Sequence, residues 1–223
     1  MTRVSITTYN RNAMVDSLVA ALAGPDVDIH VYDDGSDVPV ELDGATVHRY
    51  DENAGRNYWF MRVHDLFVDA SIDLSWEYML WAPDDVMPAR DDLMTYLPRA
   101  FRKLQAADSE AVCLNPIKLR HHPCVQWVPA IIKMQHGHCL TRWMDCCGIV
   151  DRRFVESAIP YLRRHLPHYC LNEHLGTQVG RAASFAMFDA GYNIYQVRET
   201  LFSHGNHPSV MAPLKNTDLY ITP

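Results

Sequence analysis

The sequence lacks a long hydrophobic run and any Cys-x-x-Cys pair, and each absence excludes a class of protein. No apolar stretch reaches the roughly 18 residues needed to cross a bilayer, so no membrane-spanning helix is predicted. The first 20 residues include the polar segment TTYNRN, so we expect no secretory leader, a cytoplasmic protein and reduced cysteines. The missing His-x-Glu and Pro-Cys-x-x-Cys pairs disfavour a zinc-dependent deaminase.

The composition of the chain is typical of one globular domain. Of its 223 residues, 48% are hydrophobic and 21% are charged, so a single domain over residues 1–223 is expected. The formal charge of −7 is divided unevenly, because residues 1–98 carry a net −12 and residues 99–223 a net +5. An acidic first half favours cation binding and a basic second half favours an anionic partner, although two solvated faces explain the same counts.

Segments with the hydrophobic pattern of strands alternate with segments that have the pattern of helices. In the first half, strands are predicted at 3–8, 28–32, 46–50 and 77–82, with helices after Asn10 or Asn12, near 58–69 and at 91–105. The second half adds strands at 111–115, 192–197 and 201–204 and helices at 151–166 and 177–190, whereas 116–147 has no clean period. This order predicts an α/β fold with a Rossmann-like, mixed and mainly parallel sheet flanked by helices.

The polar loops TTYNRN, DDGSD and APDD each follow a predicted strand, so we expect all three to converge on one edge of the sheet, where parallel sheets carry functional groups. Asp33 and Asp34 can offer carboxylates to a ribose or a nucleobase, although Asp-Asp-Gly-Ser also forms an ordinary turn. Asp84 and Asp85 supply the oxygen ligands that hard divalent cations prefer; plain surface acidity ahead of a helix is the alternative. His204 ends a late strand, and it or His207 can complete a metal shell.

Six short segments occur in a recognisable order along the chain: TTYNR, DDGSD, DENAGRNYW, LWAPDDVMP, AGYNIYQV and LFSH. In this order they resemble a family 2 glycosyltransferase over residues 3–207. The resemblance implies the A-type glycosyltransferase fold, with a nucleotide- and metal-binding half at 1–110 and an acceptor-binding half at 111–223. It also implies transfer of a sugar from a nucleotide-diphosphate sugar, with a UDP-sugar expected, and Mn²⁺ or Mg²⁺ as the cation.

The same resemblance assigns roles to individual residues. It implies that Asp85 and His204 hold the metal ion. It implies that a larger set surrounds the nucleotide-sugar: Thr8, Tyr9, Arg11, Asp33, Asp34, Asn53, Gly55, Arg56 and Asp84. The chain departs from the family in one respect, because Ala82 or Pro83 stands where the acidic metal motif normally begins, and one expected ligand is therefore missing.

The catalytic base is less well defined than the donor site. An inverting enzyme needs a base that takes the proton of the acceptor hydroxyl as it attacks the anomeric carbon. Glu173 in CLNEHLGTQ is the first candidate, and Asp145 in RWMDCCG is the second. A retaining enzyme requires no such base, so the sequence leaves the stereochemical outcome open.

The acceptor is expected to meet a basic stretch of the second half. Residues 99–169 carry 11 Lys and Arg against 5 Asp and Glu, with Trp127, Trp143 and Tyr161 among them. Basic and aromatic residues together suit an anionic polymer. Small phage-type glycosyltransferases that modify hydroxymethylated pyrimidines in DNA are similar in size and layout, so DNA in a host cytoplasm is one expected acceptor. A glycan, a protein or a small molecule is the alternative, with the arginines then forming an ordinary helix surface.

An interpretation from another class rests on seven His and five Cys between His121 and His174. Zinc binds tetrahedral sets of these residues, so a non-catalytic nucleic-acid-binding module with a structural zinc is the rival. Reduced core cysteines and surface histidines explain the stretch more simply. The rival leaves the acidic pairs at the strand ends without a role. A transferase fold kept only as a scaffold is a third interpretation.

Overall fold

The computed structural model describes residues 1–55, 58–118, 121–122, 125–144, 147–171 and 179–204, with backbone alone at 58–59, 121–122, 125–129, 166–171 and 204. Its strands are β1 (Thr2–Thr8), β2 (Val27–Asp33), β3 (Thr46–Arg49), β4 (Tyr78–Pro83), β5 (Val86–Pro88), β6 (Ala111–Asn115), β7 (His121–His122), β8 (Val125–Pro129), β9 (Ile131–Gln135), β10 (His138–Thr141), β11 (Gly148–Val150), β12 (Asn193–Gln196) and β13 (Phe202–His204). The helices are α1 (Asn12–Leu22), α2 (Tyr58–Ile72), α3 (Leu93–Ala107), α4 (Arg152–Leu171) and α5 (Val179–Asp189).

One large sheet organises the molecule, with the strand order β3-β2-β1-β4-β11-β6-β12-β10-β9. The strands β3, β2, β1 and β4 run parallel, as do β6 and β12, and the remaining neighbours are antiparallel. The predicted fold class, a mixed and mainly parallel sheet flanked by helices, is confirmed. The parallel group brings the carboxyl ends of β1, β2 and β4 to one edge of the sheet.

Two hydrophobic cores cover the two faces of this sheet. On one face, α1 and α3 bury Leu18 and Phe101 against the β1 side chains Val4 and Ile6. On the other face, α2, α4 and α5 pack around Trp81, whose ring meets Phe67 edge-on at 5.3 Å between centroids. The alternation along β1 leaves polar side chains, Arg3 among them, beneath α2. Among the described helices, none is long and apolar enough to cross a membrane.

The start of α1 differs from the expectation that an asparagine caps it. Arg11 holds the cap position and no side chain closes the first turn, so the predicted Asn10 or Asn12 cap is wrong. Asn10 has a left-handed backbone (φ 53°), and its amide pairs with Asp37 through both side-chain atoms. The Nδ2 group of Asn12 donates to the carbonyl groups of Val38 and Pro39. Both asparagines therefore fasten the loop after β2 rather than the helix.

A β-hairpin lies within residues 116–147, a stretch in which the sequence shows no hydrophobic period. Strands β9 and β10 pair antiparallel across a two-residue turn at His136 and Gly137. Both turn residues have positive φ, 52° and 79°, which matches the right-handed twist of the flanking strands. The His-Gly pair was the local signal for this hairpin, because glycine adopts such a backbone without a steric penalty.

Candidate active site

The three polar loops singled out in the sequence meet at the carboxyl edge of the parallel strands. Thr8 at the end of β1 pairs in register with Asp33 at the end of β2, and Thr7 pairs with Pro83 at the end of β4. The backbone N–H of Asp34 donates to the carbonyl of Thr8 at 3.0 Å. The predicted convergence of TTYNR, DDGSD and APDD is therefore a feature of the structure.

The acidic pair after β4 surrounds one arginine side chain. Nη1 of Arg11 lies 2.9 Å from Oδ1 of Asp84 and 3.4 Å from Oδ2 of Asp85. The hydroxyl of Thr8 donates to the other Asp84 oxygen at 2.7 Å. Asp84 is almost fully buried, and this burial raises its pKa to about 6, although Arg11 and Thr8 act in the opposite direction. The arrangement concentrates negative charge that a cation must balance.

The backbone of His204 lies beside this acidic pair. Strand β13 pairs antiparallel with β5, and His204 lies opposite Val86, the residue that follows Asp85. The sequence separates His204 from Asp85 widely, so only the tertiary fold brings them together. The backbones of the two predicted metal ligands, Asp85 and His204, therefore lie close together. Direct ligation by the His204 side chain stays a prediction.

Asp34 is fully buried at the centre of a hydrogen-bond network. Its carboxylate accepts from Nε of Arg62 on α2, from the Asn53 amide at 2.7 Å and from the Ala54 N–H at 3.2 Å. Burial raises the pKa of Asp34, against the opposing effect of Arg62. The Arg62 guanidinium also stacks 3.4 Å above the Tyr50 ring centroid. In this conformation Asp34 fixes the Asn53–Gly55 segment, and its contact with a nucleotide stays a prediction.

Asp33 has the same buried character but organises a different loop. Its carboxylate pairs with Arg49 at the end of β3 and accepts from the N–H of Ser36 at 3.0 Å. Gly35 between them has φ +71°, and a Cβ there would lie 2.8 Å from the backbone nitrogen of Asn53. The loop after β2 and the loop after β3 therefore touch through a glycine that admits no side chain.

The remaining predicted site residues fall into two groups. Tyr9 is partly buried beside Thr8, and Gly55 lies exposed with φ +67° at the end of the loop that Asp34 holds. Arg56, Asp145, Glu173 and His207 lie outside the described residues, so the assignment of a catalytic base stays a prediction. Sequence reasoning missed Arg49 and Arg62, because an arginine that neutralises a buried aspartate from another element carries no local signal.

The oxygen ligands at the end of β4 suit a hard divalent cation. Asp84 and Asp85 offer carboxylate oxygens, the ligand type that Mn²⁺ and Mg²⁺ prefer, and the Arg11 guanidinium offsets one of their two charges. Asp85 is more exposed than Asp84, at 13% against 5% of the side chain, so it is the better placed to meet an incoming ion. Asp84 is held from both sides and is suited to orient its neighbours.

The cysteine- and histidine-rich stretch shows no zinc site in its described part. Cys139 and Cys147 are buried in the core, and burial raises the pKa of Cys139. Among the described residues of 121–174, no group of three metal-ligating side chains comes together. Buried cysteines that pack in the core account for these two positions.

Comparison with known proteins gives a fold and no sequence family. No family model and no curated protein matches the sequence. Among solved structures, TarS from S. aureus (residues 1–349) superposes with a TM-score of 0.57 at 13% identity, covering 92% of this chain and 60% of that one. The mannosyltransferase PcManGT from Pyrobaculum calidifontis, in complex with GDP-Man and Mn²⁺, gives 0.52 at 12% identity, covering 89% and 54%. The chain thus spans little more than half of each neighbour, and it shares their mixed α/β fold.

Proposed function

We propose that this chain is a glycosyltransferase that moves a sugar from a nucleotide-diphosphate sugar to an acceptor hydroxyl with the help of a divalent cation. The observation that carries the proposal is the pairing of Asp84 and Asp85 at the end of β4, beside the loops of β1 and β2. A fold of the same kind binds GDP-Man and Mn²⁺ together in the mannosyltransferase from Pyrobaculum calidifontis. The likeness of fold and the acidic pair support the same activity.

The residues of this chain divide the work of holding the donor. Asp85 and His204 are the proposed metal ligands, and the cation, when bound, neutralises the charge that develops on the leaving diphosphate. Asp84 orients Thr8 and Arg11, because the hydroxyl of Thr8 and the guanidinium of Arg11 both donate to its carboxylate. Asp33 fixes the loop after β2, and Asp34 fixes the Asn53–Gly55 segment. We propose that Tyr9, Asn53, Gly55 and Arg56 contact the nucleotide. We propose a UDP-sugar as the donor, with a GDP-sugar as the alternative to be tested beside it.

For the acceptor step we propose a carboxylate base, Glu173 first and Asp145 second. A base at this step takes the hydroxyl proton while the oxygen attacks the anomeric carbon and the bond to the diphosphate breaks. Each position is tested by replacement with the matching amide. Loss of transfer with unchanged donor binding identifies the base, whereas full transfer by both variants points to a retaining enzyme or to another residue.

For the acceptor itself we propose an anionic polymer, with hydroxymethylated pyrimidines in DNA as the form to test first. Arg163 and Arg164 on α4 are both exposed, and neither is needed for the cores described above. Reversing both charges removes phosphate contacts, so the dependence of DNA affinity on salt concentration becomes shallower. The same double reversal at the partly exposed Arg90 and the exposed Arg198, which both lie outside the basic stretch 99–169, is the control. An unchanged salt slope assigns the acceptor to a glycan, a protein or a small molecule.

The activity is tested by release of nucleoside diphosphate from a panel of UDP- and GDP-sugars with Mn²⁺. Asp85→Asn is expected to lose turnover while keeping its fold, because the neutral amide is a weak ligand for a hard cation. Asp92→Asn, which removes an exposed carboxylate paired with Arg90, is the matched control and should retain turnover. Equal turnover in both variants contradicts the proposed metal site. Absence of turnover with every donor favours the binding-module or scaffold interpretation.

A further inference from the structure

A second cluster of metal-ligating side chains lies on the sheet face that α2 covers, apart from the acidic pair after β4. His30 on β2 and His48 on β3 stack with their ring centroids 5.2 Å apart, and Nδ1 of His30 lies 2.9 Å from Nε2 of His48. Asp69 reaches the same point from α2, with Oδ2 3.9 Å from Nε2 of His48. Three separate elements thus direct one nitrogen or oxygen each to a common position.

The separations between the three ligand atoms are close to those between the ligands of a bound metal ion. One nitrogen or oxygen from each of His30, His48 and Asp69 lies within 4.8 Å of the others. Bonds of about 2.1 Å in tetrahedral geometry keep two zinc ligands roughly 3.4 Å apart. The observed 2.9 Å and 3.9 Å lie on either side of that value. These side chains are 13–41% exposed and can shift to admit an ion. Oδ2 of Asp69 accepts from Arg3 and from the Tyr32 hydroxyl, so it exchanges one of these hydrogen bonds for the ion.

A carboxylate behind His30 orients its imidazole for ligation. Oδ2 of Asp28 lies 2.9 Å from Nε2 of His30 and accepts its hydrogen. That hydrogen bond leaves a lone pair on Nδ1, the atom that points to His48. Metal-binding histidines commonly have such a carboxylate on the opposite ring nitrogen, where it fixes the tautomer and makes the ligand more basic.

The charges around the cluster leave an excess of negative charge. Asp28, Asp69 and Asp73 carry three carboxylates, and Arg3 is the buried cation that pairs with Asp69 and Asp73. With neutral imidazoles, these groups sum to two negative charges. A divalent ion balances this excess, and partly buried charges favour such compensation.

We propose that His30, His48 and Asp69 form a binding site for Zn²⁺ or a similar borderline transition-metal ion, with a water molecule as the fourth ligand. Two imidazoles and one carboxylate suit zinc, whereas the all-oxygen pair after β4 suits Mn²⁺ or Mg²⁺. The ion replaces the hydrogen bond between the imidazoles, and the hydrogen on Nε2 of His48 moves to Nδ1. The site joins β2, β3 and α2. These elements also carry Asp33, Arg49 and Arg62, which lie at the proposed site of the nucleotide sugar.

Zinc content of the full chain after dialysis against a zinc buffer tests the site directly. We expect one equivalent of Zn²⁺ in the wild-type protein to be absent from both His30→Gln and His48→Gln. His136→Gln, which removes an exposed histidine from the β9–β10 turn, and Asp85→Asn should both retain it. Equal zinc content in the wild type and the folded His48→Gln variant overturns the proposal. Loss of donor binding in Asp85→Asn with zinc retained separates this site from the proposed activity.

A measurement on the wild-type protein covers the case in which a histidine variant does not fold. Crystals grown with Zn²⁺ are measured at the zinc absorption edge, where an anomalous difference peak locates the ion. A peak within bonding distance of Nδ1 of His30 and Nε2 of His48 confirms the site. Density that shows only the two imidazoles in hydrogen-bond contact, with zinc elsewhere or absent, overturns it.

Discussion

Nη1 of Arg11 lies 2.9 Å from Oδ1 of Asp84, so the first helix and the fourth strand are joined at the point where a catalytic cation is expected. The same nitrogen lies 3.4 Å from Oδ2 of Asp85. In the protein alone, one guanidinium therefore offsets one of the two carboxylate charges. It follows that a divalent cation and Arg11 compete for these carboxylates, and that the arginine becomes available to the anionic donor when the cation is bound.

The competition predicts the behaviour of Arg11→Met. Removing the guanidinium should tighten Mn²⁺ binding by about tenfold or more, because a charge-assisted hydrogen bond of roughly 1.5–3 kcal/mol no longer has to be broken. Titration of Mn²⁺ by calorimetry measures the change. Arg90→Met, which removes an exposed guanidinium paired with Asp92, should leave the Mn²⁺ affinity unchanged. Weaker Mn²⁺ binding by Arg11→Met would show that the arginine preorganises the carboxylates instead.

The contact between the loop after β2 and the loop after β3 predicts the effect of Gly35→Ala. Its Cβ would lie 2.8 Å from the Asn53 nitrogen, so the loops must separate, in addition to the cost of the left-handed backbone. Gly44→Ala has a similar φ of +77° but meets nothing within 4 Å. In urea unfolding, Gly35→Ala should lose about 1–3 kcal/mol more than Gly44→Ala, the usual range for overpacking. Equal losses would show that the loops yield without cost.

The raised pKa of Asp84 predicts a pH dependence of stability that Asp84→Asn lacks. The folded protein holds the Asp84 proton up to about pH 6, whereas the unfolded chain releases it near pH 3.8, the ordinary pKa of an aspartate. This contribution to stability is present in full below about pH 4 and is lost as the pH rises through 6. The difference in unfolding free energy, wild type minus variant, should therefore fall between these values. A difference that rises with pH contradicts the burial of this carboxyl.

The strands that position the donor site were predictable because each is a short hydrophobic run bounded by polar residues. The predicted 111–115 strand matches β6 at both ends, and the 3–8 strand differs from β1 by one residue. Asp84 and Asp85 were predictable for the same reason, since the loop after a buried parallel strand reaches the carboxyl edge of the sheet. Local sequence therefore determined the frame of the site and the placement of its acids.

The partners of those acids were not predictable, because they come from distant elements. Arg62 reaches Asp34 across 28 positions, and Arg49 reaches Asp33 across 16. Nothing in the sequence near either arginine indicates its partner, and only packing of α2 and β3 against β2 creates the pairs. The His30–His48–Asp69 cluster has the same origin, since strand register and helix packing bring its members together.

Binding of nucleotide-diphosphate sugars with and without Mn²⁺ tests most directly whether this fold binds a nucleotide sugar together with a cation. The melting temperature of the wild-type protein is followed with each UDP- and GDP-sugar, since a ligand that binds the native state alone raises it. We predict a rise that requires both one nucleotide sugar and Mn²⁺ and that Asp85→Asn abolishes. No rise with any donor, or a rise that persists without the cation and in Asp85→Asn, would contradict it.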